Sequence, residues 1–94
     1  MKTNPVNLTI MTRAKIMILP KEGVFDPQGE AIRNALIHLG LEETLSVRVG
    51  KEIVIEFKEA DQEKLKQKVE EITKNFLSNP IIEQFKIEWE KEGK

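Results

Sequence analysis

The sequence predicts a single-domain α+β fold with the element order β-α-β-β-α-β. Short apolar runs alternate with two longer segments whose apolar residues are three and four apart, and proline or glycine follows most of these elements. A chain of this order usually folds as a four-stranded antiparallel sheet with both helices on one face, the split βαβ arrangement. A domain of 94 residues buries only roughly 60–65% of its unfolded surface. We therefore expect it to dimerise.

The first strand and the first helix have clear boundaries. Residues 15–19 are apolar on both faces, as in a strand covered on both sides, and Pro20 ends the run. Asp26 can cap the first helix, and Pro27 fits the first helical position. The helix is predicted over residues 27–39, with Gly40 as a left-handed stop. Its predicted inward face consists of Ala31, Ile32, Ala35, Leu36 and Leu39.

The middle of the chain predicts two half-buried strands joined by a tight hairpin. Leu45, Val47 and Val49 alternate with polar residues, and the same pattern recurs from Ile53 to Phe57. Gly50 and Lys51 separate the two runs, and Gly50 is predicted to take the positive φ of a hairpin turn.

A second helix and a last strand complete the domain. The helix is predicted over residues 61–77, with Leu65, Val69, Ile72 and Phe76 facing inward. The strand places Phe85, Ile87 and Trp89 on one face. We expect a domain over residues 12–90, an N-terminal extension over residues 1–11 and a charged tail over residues 91–94.

Composition excludes several classes of function. The formal net charge is −1 at pH 7, so no excess positive charge would attract nucleic acid or an anionic membrane. The absence of cysteine removes disulfides, thiolate nucleophiles and cysteine metal sites. The first ten residues lack the apolar core of a secretory signal, and no run is long enough to span a membrane. A cytoplasmic location is the expectation.

Catalytic groups are scarce, and we predict neither catalytic nor metal-binding nor cofactor-binding residues. His38, the single histidine, lies in the last turn of the first helix, where a solvated side chain is the simplest interpretation. No second histidine and no cysteine could complete a metal site with it. The sequence contains no phosphate-binding loop of the Walker or dinucleotide type.

The loop before the first helix admits two interpretations. A helix N-terminus beside Gly23 and Gly29 could hold a phosphate. The carboxylate of Asp26 would occupy the same N–H groups and repel an anion, which favours a rigid protein-contacting corner. Gly29 is costly inside a helix and indicates either the close approach of another backbone or no special role.

Several motifs, in this order and spacing, resemble the PurS family, the small subunit of phosphoribosylformylglycinamidine synthase. They are the loop Lys21-Glu22-Gly23-Val24-Phe25-Asp26-Pro27-Gln28-Gly29, the segment Val47-Arg48-Val49-Gly50-Lys51, the helix end Leu39-Gly40-Leu41 and the late Ser78-Asn79-Pro80-Ile81-Ile82-Glu83. The resemblance runs from about Ala14 to Trp89. It implies a ferredoxin-like, dimerising subunit of a ligase complex, without catalytic activity when isolated.

The resemblance also implies a reaction and partners. Proteins of this family act with a large synthetase subunit and a glutaminase subunit in purine biosynthesis, converting formylglycinamide ribonucleotide (FGAR), ATP and glutamine to formylglycinamidine ribonucleotide (FGAM), ADP, phosphate and glutamate. ATP and magnesium belong to the large subunit. The small subunit would bridge the other two and help ammonia to pass between them. It would self-associate as a dimer or tetramer. The candidate subunit contacts are Lys21, Gly23, Val24, Phe25, Asp26, Pro27, Gln28, Gly29, Arg48, Gly50 and Lys51.

Three other functions fit the element order less well. A small-molecule sensor of the ACT type shares the order and needs a glycine in the first loop, which Gly23 supplies, so it stands as the alternative. An RNA-binding module of the RRM type would display aromatic and basic residues on its strands, whereas here Glu52 and Glu56 would repel phosphates. An acylphosphatase would need an arginine in the loop after the first strand, where this chain has Lys21 and Glu22.

Overall fold

The computed structural model describes residues 11–58 and 61–92, and the prediction for the extension over residues 1–11 falls outside this range except at Met11. The strands are β1 (Met11–Pro20), β2 (Lys51–Phe57) and β3 (Glu83–Glu92). The helices are α1 (Pro27–His38) and α2 (Gln62–Ile72), and α2 continues into a π-helical turn over Thr73–Leu77. The α+β class is confirmed. In the described parts of the chain, no helix is long and apolar enough to cross a membrane.

The three strands form one antiparallel sheet in the order β2-β1-β3. β1 lies in the centre, with Ile16 opposite Ile53 on β2 and Ile87 on β3. Because residues two apart on a strand share a face, this register gathers the apolar residues of all three strands on one side of the sheet.

The hydrophobic core lies between that face and α2. Ala14, Ile16 and Ile18 of β1 and Val69 of α2 are buried. Around them pack half-buried side chains from β2, α2, the π turn and β3: Ile53, Ile55, Phe57, Leu65, Leu77, Phe85, Ile87 and Trp89. The inward positions predicted for β3 are therefore correct.

The predicted fourth strand over residues 45–49 is wrong for the described chain. This segment has no regular secondary structure and belongs to no strand ladder, and no hairpin joins it to β2. The predicted alternation holds for part of the segment, because Val47 and Val49 are half-buried and Arg48 is exposed, but Leu45 is 90% exposed. The backbone of the two valines lies against the start of α1, since the Val47 carbonyl oxygen is next to Gly29 and Val49 N donates to Asp26. Alternation alone does not distinguish this environment from a strand ladder.

The predicted inward face of α1 is wrong at four of its five positions, and the fifth, Leu36, is half-buried. Ala31 and Ala35 are exposed, and Ile32 and Leu39 are 38% and 81% exposed. Both ends of the helix agree with prediction: Asp26 accepts a hydrogen bond from the Gly29 N–H, and Gly40 has a φ of +112°. Helical spacing identified the helix and its apolar stripe, but the stripe has no cover within the described chain.

The inward face predicted for α2 is correct for its first half only. Leu65 and Val69 face the sheet, whereas Ile72 and Phe76 are 50% and 79% exposed. Thr73 and Leu77 take the inward positions instead, so the inward residues follow one another at a spacing of four. In a regular α-helix, residues four apart drift gradually around the helix and away from the sheet. The π turn has more residues per turn, so it reverses that drift. Its closing hydrogen bond runs from Ser78 N to Thr73 O at 2.9 Å.

Thr73 carries a buried polar group, which leads to a prediction about stability. Its Oγ1 is fully buried and has no hydrogen-bond partner among the described residues. Valine has nearly the same shape, so Thr73→Val is expected to raise the free energy of unfolding by about 1 kcal/mol, measured by urea denaturation. Thr12→Val is the matched control, because the buried Thr12 Oγ1 accepts a bond from Gln62 Nε2 at 3.1 Å and its loss should destabilise. Equal effects of the two changes would contradict the assignment.

The other face of the sheet is charged. Arg13 on the central strand binds Glu56 of β2 at 3.0 Å and Glu90 of β3 at 2.9 Å. Lys15 also binds Glu90, at 3.0 Å. The hydrogen bond from Lys15, followed by that from Arg13, lowers the pKa of Glu90, and the same bond raises the pKa of Lys15. The charge of Glu90 is therefore compensated within the chain.

Candidate functional site

Two segments that are far apart in sequence meet at one end of the sheet. They are the loop and helix start over residues 21–29 and the extended segment over residues 45–51, and we call the surface that they form the corner. Backbone bonds also place the turn after α2 next to it, because Lys21 N donates to Ile82 O at 2.8 Å. The corner contains every residue predicted as a subunit contact, so the structure brings the two halves of that prediction together.

Asp26 joins the two segments. One carboxylate oxygen accepts a bond from Gly29 N at 3.1 Å and caps α1, and the other accepts a bond from Val49 N at 2.8 Å. The bond from Val49, followed by that from Gly29, lowers the pKa of this carboxyl below its ordinary value of 3.8. The helix N–H groups are therefore already engaged by a carboxylate, which favours the protein-contacting interpretation over a phosphate cradle.

Removal of the Asp26 carboxylate is expected to destabilise the fold. Asp26→Ala loses the cap and the anchor of residue 49, so the melting temperature should fall by roughly 5–10 °C. Because the folded-state pKa is lowered, the stability from ionised Asp26 is complete above pH 3.8 and is lost as the pH falls through the lower value.

Asp26→Asn is the control for charge, because an asparagine can still cap a helix. Its melting temperature should exceed that of Asp26→Ala at pH 7. On acidification to about pH 3 the parent should lose more stability than Asp26→Asn, as measured by thermal denaturation. Parallel acid titrations of the two proteins would show that the charge of Asp26 contributes nothing.

Two arginines add further links across the corner. Arg48 Nη1 donates to the carbonyl oxygen of Pro20 at 3.0 Å, and Arg33 Nε donates to that of Leu45 at 3.1 Å. Arg33 also contacts Glu30 at 3.4 Å. Both guanidinium groups thus hold backbone carbonyls in place. Arg33 was missed by the sequence reasoning, since one arginine on a helix carries no signal for a contact 12 residues away.

Gly29 and Gly50 allow the close approach of neighbouring backbone. A Cβ on Gly29 would meet the carbonyl oxygen of Val47 and lie 2.7 Å from a carboxylate oxygen of Asp26. A Cβ on Gly50 would meet the carbonyl oxygen of Ile18. The close-approach interpretation of Gly29 is therefore correct, and the predicted turn role of Gly50 is wrong, because its φ is not positive.

An open groove of about 500 Å³ lies between the two segments. Asp26, Arg33 and Arg48 line it with charge, while Phe25 and Leu45 expose 79% and 90% of their surface beside it. Gln28 and Lys51 are exposed in the same two segments. Large exposed apolar side chains on a rigid frame are typical of a protein contact. In residues 11–58 and 61–92, no cluster of metal-ligating side chains occurs.

Comparison with known proteins identifies the family. The family model described as PurS, phosphoribosylformylglycinamidine (FGAM) synthase, matches residues 13–91. The chain belongs to the PurS family. Among curated relatives, the PurS subunit of Methanocaldococcus jannaschii is 38% identical over 81 residues, which cover 86% of this chain and 98% of the relative. The PurS subunit of Bacillus subtilis is 34% identical over 80 residues, 85% of this chain and 94% of the relative.

Solved structures of the PurS family agree with this fold. The structure of Bacillus subtilis PurS has a TM-score of 0.71 at 33% identity and covers 84% of this chain and 98% of its own. A chain in the structure of PurLQS from Thermotoga maritima has a TM-score of 0.74 at 25% identity, with coverage of 85% and 98%. In that structure a PurS chain is therefore part of a larger complex.

Proposed function

We propose that this chain is the non-catalytic small subunit of FGAM synthase and joins the synthetase and glutaminase subunits. The complex would consume FGAR, ATP and glutamine, with ATP and magnesium bound on the large subunit, and the small subunit would help ammonia to pass between the other two. The observation that carries the proposal is the PurS match over residues 13–91. The PurLQS complex of Thermotoga maritima supports a role in assembly.

The corner is proposed as the contact with the other subunits. Its backbone is held by the Asp26 carboxylate and two arginines, so its surface is organised before a partner binds. A preorganised surface loses little entropy on binding. Phe25 provides the type of exposed aromatic side chain that often dominates binding energy.

Reconstitution of activity tests the function. The chain alone should show neither glutaminase nor ATPase activity, and glutamine-dependent FGAM formation should require all three subunits. Because Gln28 and Lys51 are exposed, Gln28→Ala and Lys51→Glu should change the free energy of unfolding by at most about 0.5 kcal/mol. Both variants should restore less activity when the small subunit is limiting.

The matched control for charge is Lys64→Glu on α2, an exposed reversal outside the corner, which should restore full activity. Full restoration by both corner variants would mean that the subunits are joined elsewhere. Failure of the parent chain to support activity with both partners would contradict the function itself.

We also propose that the chain self-associates, with a dimer as the basic unit. In the described residues, the buried apolar core has four members, Ala14, Ile16, Ile18 and Val69. A larger set of big apolar side chains is exposed: Phe25, Ile32, Leu39, Leu41, Leu45, Val54, Ile72, Phe76, Ile81 and Ile82. So small a core seldom stabilises a domain, and a second copy would cover part of this surface. Sedimentation of a monomer at micromolar concentration would contradict this proposal.

A further inference from the structure

β3 has an open edge in the part of the chain that the structure describes. There the sheet order pairs it with β1 on one side only, and it extends over ten residues from Glu83 to Glu92. An edge strand of this length presents a row of unpaired N–H and C=O groups, which can form a ladder with another strand. Proteins normally protect such an edge with charged residues, proline or a covering segment. The side chains of β3 therefore show whether the edge repels another strand or matches one.

We propose that β3 pairs antiparallel with β3 of a second copy about a two-fold axis at Ile87, which joins the two sheets into one of six strands. The inference rests on the self-association proposed above and specifies the surface that makes it.

The apolar face of β3 restricts the register. In an antiparallel pair, residues directly opposite one another point to the same side of the sheet. Phe85, Ile87 and Trp89 belong to the helix-facing side, so they must face each other across the axis. An axis at Ile87 places Phe85 opposite Trp89 of the second copy and Ile87 opposite its own equivalent. Aromatic pairs of this kind stabilise sheets.

Charge then selects this axis over the neighbouring ones. With the axis at Ile87, Lys86 lies opposite Glu88 of the second copy, and Glu83 lies opposite Lys91. Moving the axis to Lys86 or Glu88 preserves the faces but puts two lysines or two glutamates directly opposite each other, which destabilises a sheet.

The remaining charge on this strand does not oppose the pairing. Glu90 would lie opposite Gln84, and its own charge is met within the chain by Lys15 and Arg13 at 3.0 and 2.9 Å. Lys86 and Glu88 form an ion pair at 3.6 Å within the chain, and because their side chains are 73% and 50% exposed, both are accessible to a second copy. Charges on an edge usually prevent pairing, but here they are complementary in a register that also matches the apolar face.

Two charge reversals test the axis. Lys86→Glu leaves glutamates on both sides of each contact, and Glu88→Lys leaves lysines. Each variant alone should dimerise about tenfold more weakly than the parent, because both symmetric contacts change from attractive to repulsive. Sedimentation velocity over a concentration series gives these dissociation constants.

Mixing the two variants isolates the contact between copies. In each variant homodimer, both contacts across the axis pair like charges. In a mixed dimer, both contacts pair a glutamate of the Lys86→Glu chain with a lysine of the Glu88→Lys chain, while the charges within each chain stay as they were. The mixed dimer is therefore favoured over either homodimer. Native mass spectrometry with one variant labelled with ¹⁵N should show mixed dimers well above the half that random pairing gives.

Glu70→Lys on α2 and Lys74→Glu in the π turn that follows it are the matched control pair, exposed and outside the edge. They should dimerise like the parent and mix at random. A parent dimer whose Lys86 and Glu88 variants also mix at random would overturn the β3 pairing and leave self-association intact. A monomeric parent at micromolar concentration would overturn both.

Discussion

Replacement of Phe25 by alanine is expected to weaken binding to the other synthase subunits by about thirtyfold or more, the effect of losing a central aromatic contact. The ring is 79% exposed at the corner and buries little surface in the free chain. The free energy of unfolding should therefore change by at most about 0.5 kcal/mol. Isothermal titration calorimetry against the partner subunits, beside thermal denaturation of the variant, measures the two quantities.

Phe76→Ala provides a close control. Phe76 is also 79% exposed, but it lies in the π turn after α2 and not in the corner. Its replacement should leave partner binding unchanged. If the two phenylalanine variants weaken binding equally, exposed apolar area in general drives the association and the corner has no special role.

Gly29→Ala should destabilise the chain by about 3 kcal/mol, because the new methyl group meets the Val47 carbonyl oxygen and the backbone must move. Helix propensity alone predicts that Gly29→Ala stabilises the chain, since alanine is favoured over glycine inside a helix by about 1 kcal/mol. Gly50→Ala should lose a similar amount against the Ile18 carbonyl oxygen. Urea denaturation measures both changes.

Gly40→Ala separates crowding from backbone strain. Gly40 has a positive φ, but a methyl group added there would meet open space, so its replacement should cost only about 1 kcal/mol. Stabilisation by Gly29→Ala would mean that the segment over residues 45–51 does not lie against α1 in solution.

Local signals predicted the two ends of α1 well, whereas β1 begins at Met11, four residues before its predicted start. Asp26 and Pro27 identified the start of α1, and Gly40 identified its end, because capping depends on residues that are close in sequence. Alternation predicted β3 and the buried side of β2 for the same reason. These signals depend on the geometry of a few consecutive residues, which the sequence gives directly.

What an element packs against could not be predicted in the same way. The backbone of residues 47–49 lies against the start of α1 and not in a strand ladder, and most of the stripe on α1 is left exposed among the described residues. At the end of α2, the π turn rotates the chain so that Thr73 and Leu77 face the sheet and Ile72 and Phe76 face away from it. The spacing of apolar residues does not reveal this change in rotation. In the corner, the link between Asp26 and Val49 spans 23 residues and has no local signature.

The antiparallel pairing of β1 with β3 has a practical consequence for protein engineering. Met11 and Glu92 are register partners, so the two backbones are side by side, about 5 Å apart, at the end of the sheet opposite the corner. A short linker could close this gap, and new chain ends could then be opened in an exposed loop. Alternatively, with these ends left open, a reporter domain fused at this end of the sheet would lie away from the corner. Assembly could then be followed with the labelled subunit.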